Sequence, residues 1–268
     1  MPKALKYVTF LDLIFLLFIS LSGFVEGVVG SIVYYLAFLV PVALAFVLKR
    51  VTGVSFSAPS MKISPQDLGL TLPLAAPLIA VIFLISWLTS LVLSAVGDGN
   101  ISDVSGNIFN VIFTHAVLTA VLEETLFRYL PIAFIAPHSK KYAVLFSALF
   151  FAFAHCNLYQ LPYAFVAGVV FSVIDIATDS IIPSLLLHFL NNLISIFWLR
   201  GMGNGGFTTI CVIALSALAI LSFLPIFILR SRYLKKISLI AGEEEKIRLS
   251  YEPMIFFATT LLVAVISL

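Results

Sequence analysis

The chain has 268 residues, of which 62% are apolar and only 10% are Asp, Glu, Lys or Arg. A soluble domain carries about 25% charged residues, so this composition excludes an ordinary water-soluble protein and indicates one that lies in a lipid bilayer. The net charge of +2 is too small to indicate a nucleic-acid partner. Cys156 and Cys211 both lie inside apolar runs, which argues against a disulfide framework and a CxxC metal site.

Nine apolar runs follow one another along the chain. They cover about residues 8–24, 28–48, 70–96, 107–136, 142–157, 162–178, 182–199, 207–229 and 254–268. A transmembrane helix needs about 20 apolar residues, and the last run is shorter than that, so we predict eight or nine membrane spans. The predicted fold is an all-α polytopic membrane helix bundle, a single integral membrane domain over residues 1–268.

The basic residues indicate the orientation of the chain in the membrane. With a cytoplasmic N-terminus, the inner segments hold 13 of the 15 Lys and Arg residues. These are Lys3, Lys6, Lys49, Arg50, Lys62, Lys140, Lys141 and the six between Arg230 and Arg248. Because cytoplasmic loops are enriched in Lys and Arg, we predict a multi-pass protein of the cell membrane with its N-terminus in the cytoplasm.

Polar side chains cluster in three of the predicted spans, although an ionisable group inside a membrane costs at least a few kcal/mol. They are Glu123, Glu124 and Arg128 in the fourth span, His155 at the end of the fifth, and His188 and Asn192 in the seventh. A single such group is more often a satisfied hydrogen bond between helices. Several on three helices, in a chain this poor in charge, predict a functional site between spans four, five and seven.

The spacing of these residues along their helices indicates which of them form pairs. Glu124 and Arg128 are four residues apart, in the order that favours an ion pair on one helix face. Glu123 is five residues from Arg128, about 140° round the helix. We therefore expect its carboxylate to take no part in the ion pair and to be available for another role. His188 and Asn192 are also four apart and are expected to offer two hydrogen-bond donors to one atom.

A free glutamate and a histidine from a second helix are the parts needed to activate a water molecule, because the glutamate accepts its proton while the histidine holds it. The His188 and Asn192 pair would then stabilise the oxyanion formed at a peptide carbonyl, at about 3 kcal/mol per donor. This combination predicts a hydrolase without a serine or cysteine nucleophile. We interpret His115 and His138 as structural, and Asp175 as a possible supporting group for the seventh span.

Three motifs in order resemble those of the CAAX protease and bacteriocin-processing (CPBP, also called ABI) intramembrane proteases, which include the CAAX prenyl endopeptidases. They are Glu-Glu-x-x-x-Arg at 123–128, Phe-x-x-x-His at 151–155 and His-x-x-x-Asn at 188–192. Each motif alone is weak, whereas three in order, each in its own apolar span, are specific. The resemblance covers about residues 105–200, which we expect to form the catalytic core.

The resemblance assigns a role to each motif residue. Glu123 and His155 become the water-activating pair, His188 and Asn192 become the oxyanion donors, and the second Glu and the Arg of the first motif become a supporting pair. It implies an intramembrane endopeptidase that acts on a CAAX-type prenylated protein or another membrane peptide. The expected partners are a membrane-embedded or lipid-anchored peptide and the bilayer, with no nucleic acid.

One alternative remains open for the mechanism and another for the class of function. The family is often labelled a metalloprotease, and two histidines with a glutamate are able to bind zinc. Since no HExxH helix is present and Asn192 accompanies His188, we expect a glutamate-dependent mechanism without a cofactor, with zinc as the alternative. A non-catalytic immunity or scaffold protein of the same fold is the alternative function. A proton-coupled transporter is disfavoured because the spans show no duplicated half.

The turn between spans six and seven, Ala177 to Ile182, is the one predicted inner segment without Lys or Arg. His188 would lie only about 10 Å from this turn along its helix, whereas Glu123 and His155 would lie about 20 Å from the inner ends of theirs. We therefore predict that the turn stops short of the cytoplasmic surface. The resulting opening would admit water and substrate from the cytoplasm.

Overall fold

The structure is a computed structural model that describes residues 2–93, 104–201, 205–241 and 252–266. Within these ranges the chain forms nine helices and no strand, which confirms the predicted all-α fold. The helices are α1 Pro2–Ser22, α2 Gly27–Thr52, α3 Pro65–Leu93, α4 Ile108–Ile135, α5 Lys140–Ala154, α6 Leu161–Thr178, α7 Ile182–Gly201, α8 Gly205–Ala241 and α9 Glu252–Ile266.

Seven of the described helices, α1 to α4 and α6 to α8, are long and apolar enough to cross a membrane. Helices α5 and α9 have 15 residues each, and such a helix is about 22 Å long, less than the roughly 30 Å of the hydrocarbon core. The predicted count of eight or nine spans is therefore not confirmed. The chain is a multi-pass membrane protein with seven helices of spanning length among the residues described.

Local signals set the helix ends that position the site. Ser139 accepts a hydrogen bond from the backbone N–H of Tyr142 and so caps α5. Pro162 lies in the first turn of α6, where a proline fits best. Asp179 adopts the left-handed conformation with φ of 50° and ends α6, which reverses the chain into α7 within three residues. These ends fix α5, α6 and α7 as consecutive neighbours.

Most of the described basic residues lie at one end of the bundle, whereas Arg128 lies within α4 and Arg200 near the end of α7. Lys6 pairs with Glu252 at 2.8 Å, and Lys236 pairs with Asp67 at 2.8 Å. We call this end, with residues 53–64, 136–140 and 177–182, the basic end. The other end holds the α1–α2 turn at 23–26 and residues 155–160, and we call it the opposite end. Lys246 and Arg248, which the sequence also assigns to the inner side, lie outside the described residues.

The prediction that the turn between α6 and α7 stops short is wrong. Helices α5 and α6 pack so closely that a methyl group on Gly168 would lie 2.9 Å from the Cα of Ala148, so these two residues share a depth. Thr178 follows Gly168 by ten residues, about 15 Å, and Lys140 precedes Ala148 by eight, about 12 Å. The turn therefore lies about as deep as Lys140.

The segment 53–64 covers this turn. The backbone N–H of Ser60 donates to the carbonyl of Asp179 at 2.9 Å, and the N–H of Ile181 donates to the carbonyl of Ser60 at 3.0 Å. Lys236 donates to the carbonyl of Ala177 at 2.8 Å. The backbone polar groups thus find protein partners, as a buried turn requires, and the covering segment occupies the place of the predicted cytoplasmic opening.

We predict that Gly168→Ala lowers the thermal stability of the protein in detergent. The added methyl group meets backbone rather than a flexible side chain, so α5 and α6 must move apart, at a cost of about 1–3 kcal/mol. The matched control is Gly69→Ala, because a methyl group there meets nothing within 4 Å. Equal unfolding temperatures for the two variants would show that the close approach of α5 and α6 is not required.

Candidate active site

In helix α4 both glutamates lie in an α-helical segment that is flanked by two wider, π-helical segments. Ile112–Leu118 and Thr125–Tyr129 are π-helical, whereas Thr119–Glu124 is α-helical. Pro131 accounts for part of this irregularity. A proline has no N–H, so the carbonyl four residues before it, on Phe127, loses its partner in the α-helical ladder. Such π-helical turns inside α-helices are frequent at functional sites.

The carbonyl of Phe127 finds its partners on neighbouring groups. The hydroxyl of Ser147, on α5, donates to it, and Nη1 of Arg128 donates to it at 3.0 Å. Ser172, on α6, places its hydroxyl 2.9 Å from that of Ser147. Ser147 was not among the predicted site residues, although the proline four residues after Phe127 was a signal that this carbonyl needed another donor.

Arg128 and Glu124 form a fully buried pair. Their side chains have no exposed surface, and Nε of Arg128 lies 3.5 Å from Oε2 of Glu124. The guanidinium also lies 4.1 Å from the ring centroid of Phe151. The four-residue spacing therefore places the arginine beside Glu124, as predicted, and the pair offsets two charges that the membrane interior would otherwise disfavour strongly.

His188 lies between the two glutamates. Its Nδ1 is 2.7 Å from Oε1 of Glu124 and its Nε2 is 3.5 Å from Oε2 of Glu123. The short contact is a hydrogen bond that Nδ1 donates to Glu124, which orients the ring and directs Nε2 at Glu123. Phe171 stacks on the imidazole with 5.6 Å between centroids. His188 thus connects the buried ion pair to Glu123, a link that the sequence did not predict.

Asp175 fixes the start of the helix that carries His188. This aspartate is fully buried, and its Oδ1 accepts a hydrogen bond of 3.0 Å from the backbone N–H of Ser184. Ser184 lies in the first turn of α7 and precedes His188 by one turn. Asp175 therefore has the supporting position that the sequence suggested for it. The direct contact of His188 with Glu123 shows that the two residues meet even though the α6–α7 turn reaches the basic end.

His155 follows the last residue of α5. Its Nδ1 lies 2.7 Å from the carbonyl of Phe151, so this nitrogen donates and Nε2 is left as an acceptor. The Phe151 ring packs edge-on against both His155 and His188, with centroids 4.9 and 5.6 Å apart. The ring of Phe151, the phenylalanine of the second motif, therefore contacts both histidines.

Asn192 does not share a target with His188 in this structure. Its amide nitrogen donates to the backbone carbonyl of His115 at 3.1 Å. The π-helical turn explains this contact, because the N–H of Thr119 bonds to the carbonyl of Thr114, five residues back. The N–H of Thr119 therefore does not bond to the carbonyl of His115. That carbonyl is able to accept a hydrogen bond from the amide of Asn192. The oxyanion role of Asn192 stays a prediction.

The site does not present a zinc donor set. Among the described residues, no three His, Cys, Asp or Glu side chains are grouped so as to hold a metal ion. His188 directs its two nitrogens at two carboxylates, and Nδ1 of His155 is engaged by a backbone carbonyl. Zinc needs three or four convergent ligands, and the described residues do not bring that many together.

We predict that Glu124→Gln and Glu123→Gln differ in stability. Loss of the Glu124 charge leaves Arg128 buried without a counter-ion, which should lower the free energy of unfolding by about 3 kcal/mol. Glu123 is partly exposed, with 17% of its side-chain surface accessible, so its variant should lose much less. Thermal unfolding in detergent compares them, and equal losses would contradict the division of roles between the two glutamates.

Comparison with known proteins supports the resemblance drawn from the three motifs. Residues 104–194 match the family described as Rce1-like, type II CAAX prenyl endopeptidase. No curated protein and no solved structure matches the chain. The matched range begins just before α4, ends within α7 and contains all the motif residues that form the site described above. Residues 104–194 are therefore similar to the Rce1-like, type II CAAX prenyl endopeptidase family.

Proposed function

We propose that the protein is an intramembrane endopeptidase in which Glu123 activates the attacking water. The observation that carries this proposal is the asymmetry of the two glutamates. Glu124 is fully buried and bound to Arg128 and His188, whereas Glu123 keeps an accessible surface and contacts the same histidine from the other side. A general base must be reachable by the water whose proton it accepts, and Glu123 meets this condition.

The proposed reaction consumes one water per peptide bond. Glu123 accepts a proton while the water oxygen bonds to the carbonyl carbon, and the carbonyl electron pair moves onto the peptide oxygen. The C–N bond then breaks, and the proton held by Glu123 passes to the leaving nitrogen. His155 holds the water in place through Nε2, which its contact with Phe151 leaves as the acceptor.

The oxyanion is stabilised by His188 and Asn192 in this proposal. With both nitrogens of His188 protonated, two carboxylates, one guanidinium and one imidazolium give the cluster a net charge of zero, which a membrane interior favours. Nε2–H then serves as a donor next to Glu123. Asn192 joins it by exchanging its hydrogen bond with the His115 carbonyl for one with the substrate oxygen.

The other elements of the proposal follow the sequence. The catalytic core extends over about residues 105–200 within one membrane domain of 1–268. The N-terminus lies in the cytoplasm, so the basic end faces the cytoplasm. The substrate is a CAAX-type prenylated protein or another membrane-associated peptide, and the enzyme uses no cofactor.

We expect Glu123→Gln to lower the rate of peptide hydrolysis at least about 1000-fold, because the amide is unable to accept the proton of the water. The assay uses a library of quenched fluorescent membrane peptides with the purified protein in detergent. Glu252→Gln is the matched control, since Glu252 lies at the basic end beside Lys6. Activity of Glu123→Gln within twofold of the wild type would contradict the mechanism, and hydrolysis of no peptide by the wild type would favour a scaffold.

We also expect hydrolysis to withstand a strong chelator, because the proposed steps use only side chains and water. The measurement is the hydrolysis rate before and after prolonged incubation with the chelator, followed by gel filtration. A known zinc protease treated in parallel shows that the chelator works. Loss of activity that returns only when zinc is added would show that His155 and His188 are metal ligands after all.

A further inference from the structure

Two asparagines follow one another on α7, and only the second of them belongs to a motif. Asn191 and Asn192 come three and four residues after His188, so both lie within about 60° of the His188 direction on the helix surface. The proposed mechanism uses His188 and Asn192 and gives Asn191 no role. Asn191 nevertheless contacts the side chain of Asn192 directly.

A chain of hydrogen bonds connects the two amides to α4. The side-chain nitrogen of Asn192 donates to the backbone carbonyl of His115 at 3.1 Å. The side-chain nitrogen of Asn191 donates to the side-chain oxygen of Asn192 at 3.3 Å. A backbone carbonyl only accepts, so the His115 carbonyl fixes which end of the Asn192 amide faces α4. The oxygen of Asn192 is then the end that faces Asn191, and Asn191 must present its nitrogen to it.

The side-chain oxygen of Asn191 is buried and has no hydrogen-bond partner in the part of the chain that the structure describes. A buried acceptor without a donor costs about 1–3 kcal/mol. The bond that the Asn191 nitrogen donates joins neighbouring residues of one helix, so it does not hold two helices together. An apolar side chain of similar size would therefore serve the stability of the fold at least as well. The presence of an asparagine here points to a role in the site.

The proposed reaction requires Asn192 to change its partner. Its nitrogen leaves the His115 carbonyl and binds the substrate oxygen. An asparagine amide has donors at one end and an acceptor at the other, and the two ends have nearly the same size, so a released amide is able to turn over. A turned amide would place its oxygen beside the developing negative charge and would supply no donor. The bond from Asn191 to the Asn192 oxygen does not have to break during this exchange.

We infer that Asn191 is a positioning residue for the oxyanion, because it holds the oxygen of Asn192 and so keeps the Asn192 nitrogen directed at the substrate. This inference rests on the proposed function. Asn191 does not touch the reacting atoms and acts only through Asn192. Since the donor is needed as negative charge develops, loss of Asn191 slows the chemical step and leaves substrate binding unchanged.

The inference is tested with Asn191→Leu, which removes the donor and nearly keeps the size of the side chain. We expect kcat for a cleaved peptide to fall about tenfold, since one hydrogen bond of ordinary strength is lost. KM should stay within twofold of the wild type, and the unfolding temperature in detergent should not fall. Asn110→Leu is the matched control, because Asn110 is exposed near the start of α4, and its kcat and KM should stay within twofold.

Two results with a folded Asn191→Leu variant would overturn the inference. One is a kcat within twofold of the wild type. The other is a rise in KM at unchanged kcat, which would show that Asn191 contributes to substrate binding instead. A fall in kcat that is matched by a lower unfolding temperature would show a structural role and would overturn it as well.

A double-mutant cycle with Asn192→Ala shows through which residue Asn191 acts. Asn192→Ala alone removes the oxyanion donor, so we expect kcat to fall about 100-fold or more. Without the Asn192 amide, Asn191 has nothing to hold, and adding Asn191→Leu should change kcat less than twofold. A further tenfold loss in the double variant would show that Asn191 acts independently of Asn192 and would overturn the positioning role.

The contact between the two amides is also tested without any activity. In protein isotope-labelled at the asparagine side-chain nitrogens, the signals of Asn191 and Asn192 are assigned by their loss in Asn191→Leu and Asn192→Ala. We expect Asn191→Leu to shift the Asn192 signal, and an unchanged signal would overturn the inference. Hydrolysis that depends on Glu123 but not on Asn191 would overturn the inference and leave the proposed function intact. A shifted signal without any Glu123-dependent hydrolysis would overturn the proposed function and the positioning role together.

Discussion

The buried contact between Glu124, Arg128 and His188 is the interaction on which the rest of the site depends. A guanidinium inside a membrane-spanning bundle needs a counter-ion within contact, and Glu124 supplies it from the same helix at 3.5 Å. The second oxygen of Glu124 binds His188 at 2.7 Å, which joins α4 to α7. One carboxylate therefore holds two helices together and orients the imidazole. Phe151 of α5 covers the guanidinium and brings His155 to the same place.

The irregular course of α4 allows it to form hydrogen bonds with the neighbouring helices. Wider turns on each side of the glutamates release backbone carbonyls from the ladder within the helix. The carbonyl of Phe127 then binds Ser147, and the carbonyl of His115 binds Asn192. In a bilayer a released carbonyl has no water to bind, so neighbouring helices must supply the donors. The helix thus exchanges some of its internal hydrogen bonds for contacts that fix its position against α5 and α7.

Local rules predict the helices and the pairing of Glu124 with Arg128, because each depends on residues close in sequence. The grouping of the three motifs was predicted instead from the cost of polar side chains inside apolar spans. They do not predict the contact of His188 with both glutamates, since helix spacing describes one helix at a time. The depth of the α6–α7 turn was mispredicted because Glu123, His155 and His188 were assumed to need equal depths along their helices. Side chains of Glu123 and His188 extend toward one another and remove the mismatch. The covering segment around Ser60 has no apolar periodicity by which it could be recognised.

The neutral cluster also bears on the rate of the proposed reaction. Before attack, the charges of Glu123, Glu124, Arg128 and His188 sum to zero when the imidazole is doubly protonated. After attack, Glu123 is neutral and the peptide oxygen carries the negative charge, so the sum is still zero. The reaction then moves one negative charge over a few ångströms without changing the total charge in a medium of low dielectric constant. Nε2 of His188, 3.5 Å from Glu123, is placed to follow that charge from the carboxylate to the oxyanion. Fixed groups of this kind stabilise the transition state more than the ground state, because they need no reorganisation as the charge moves.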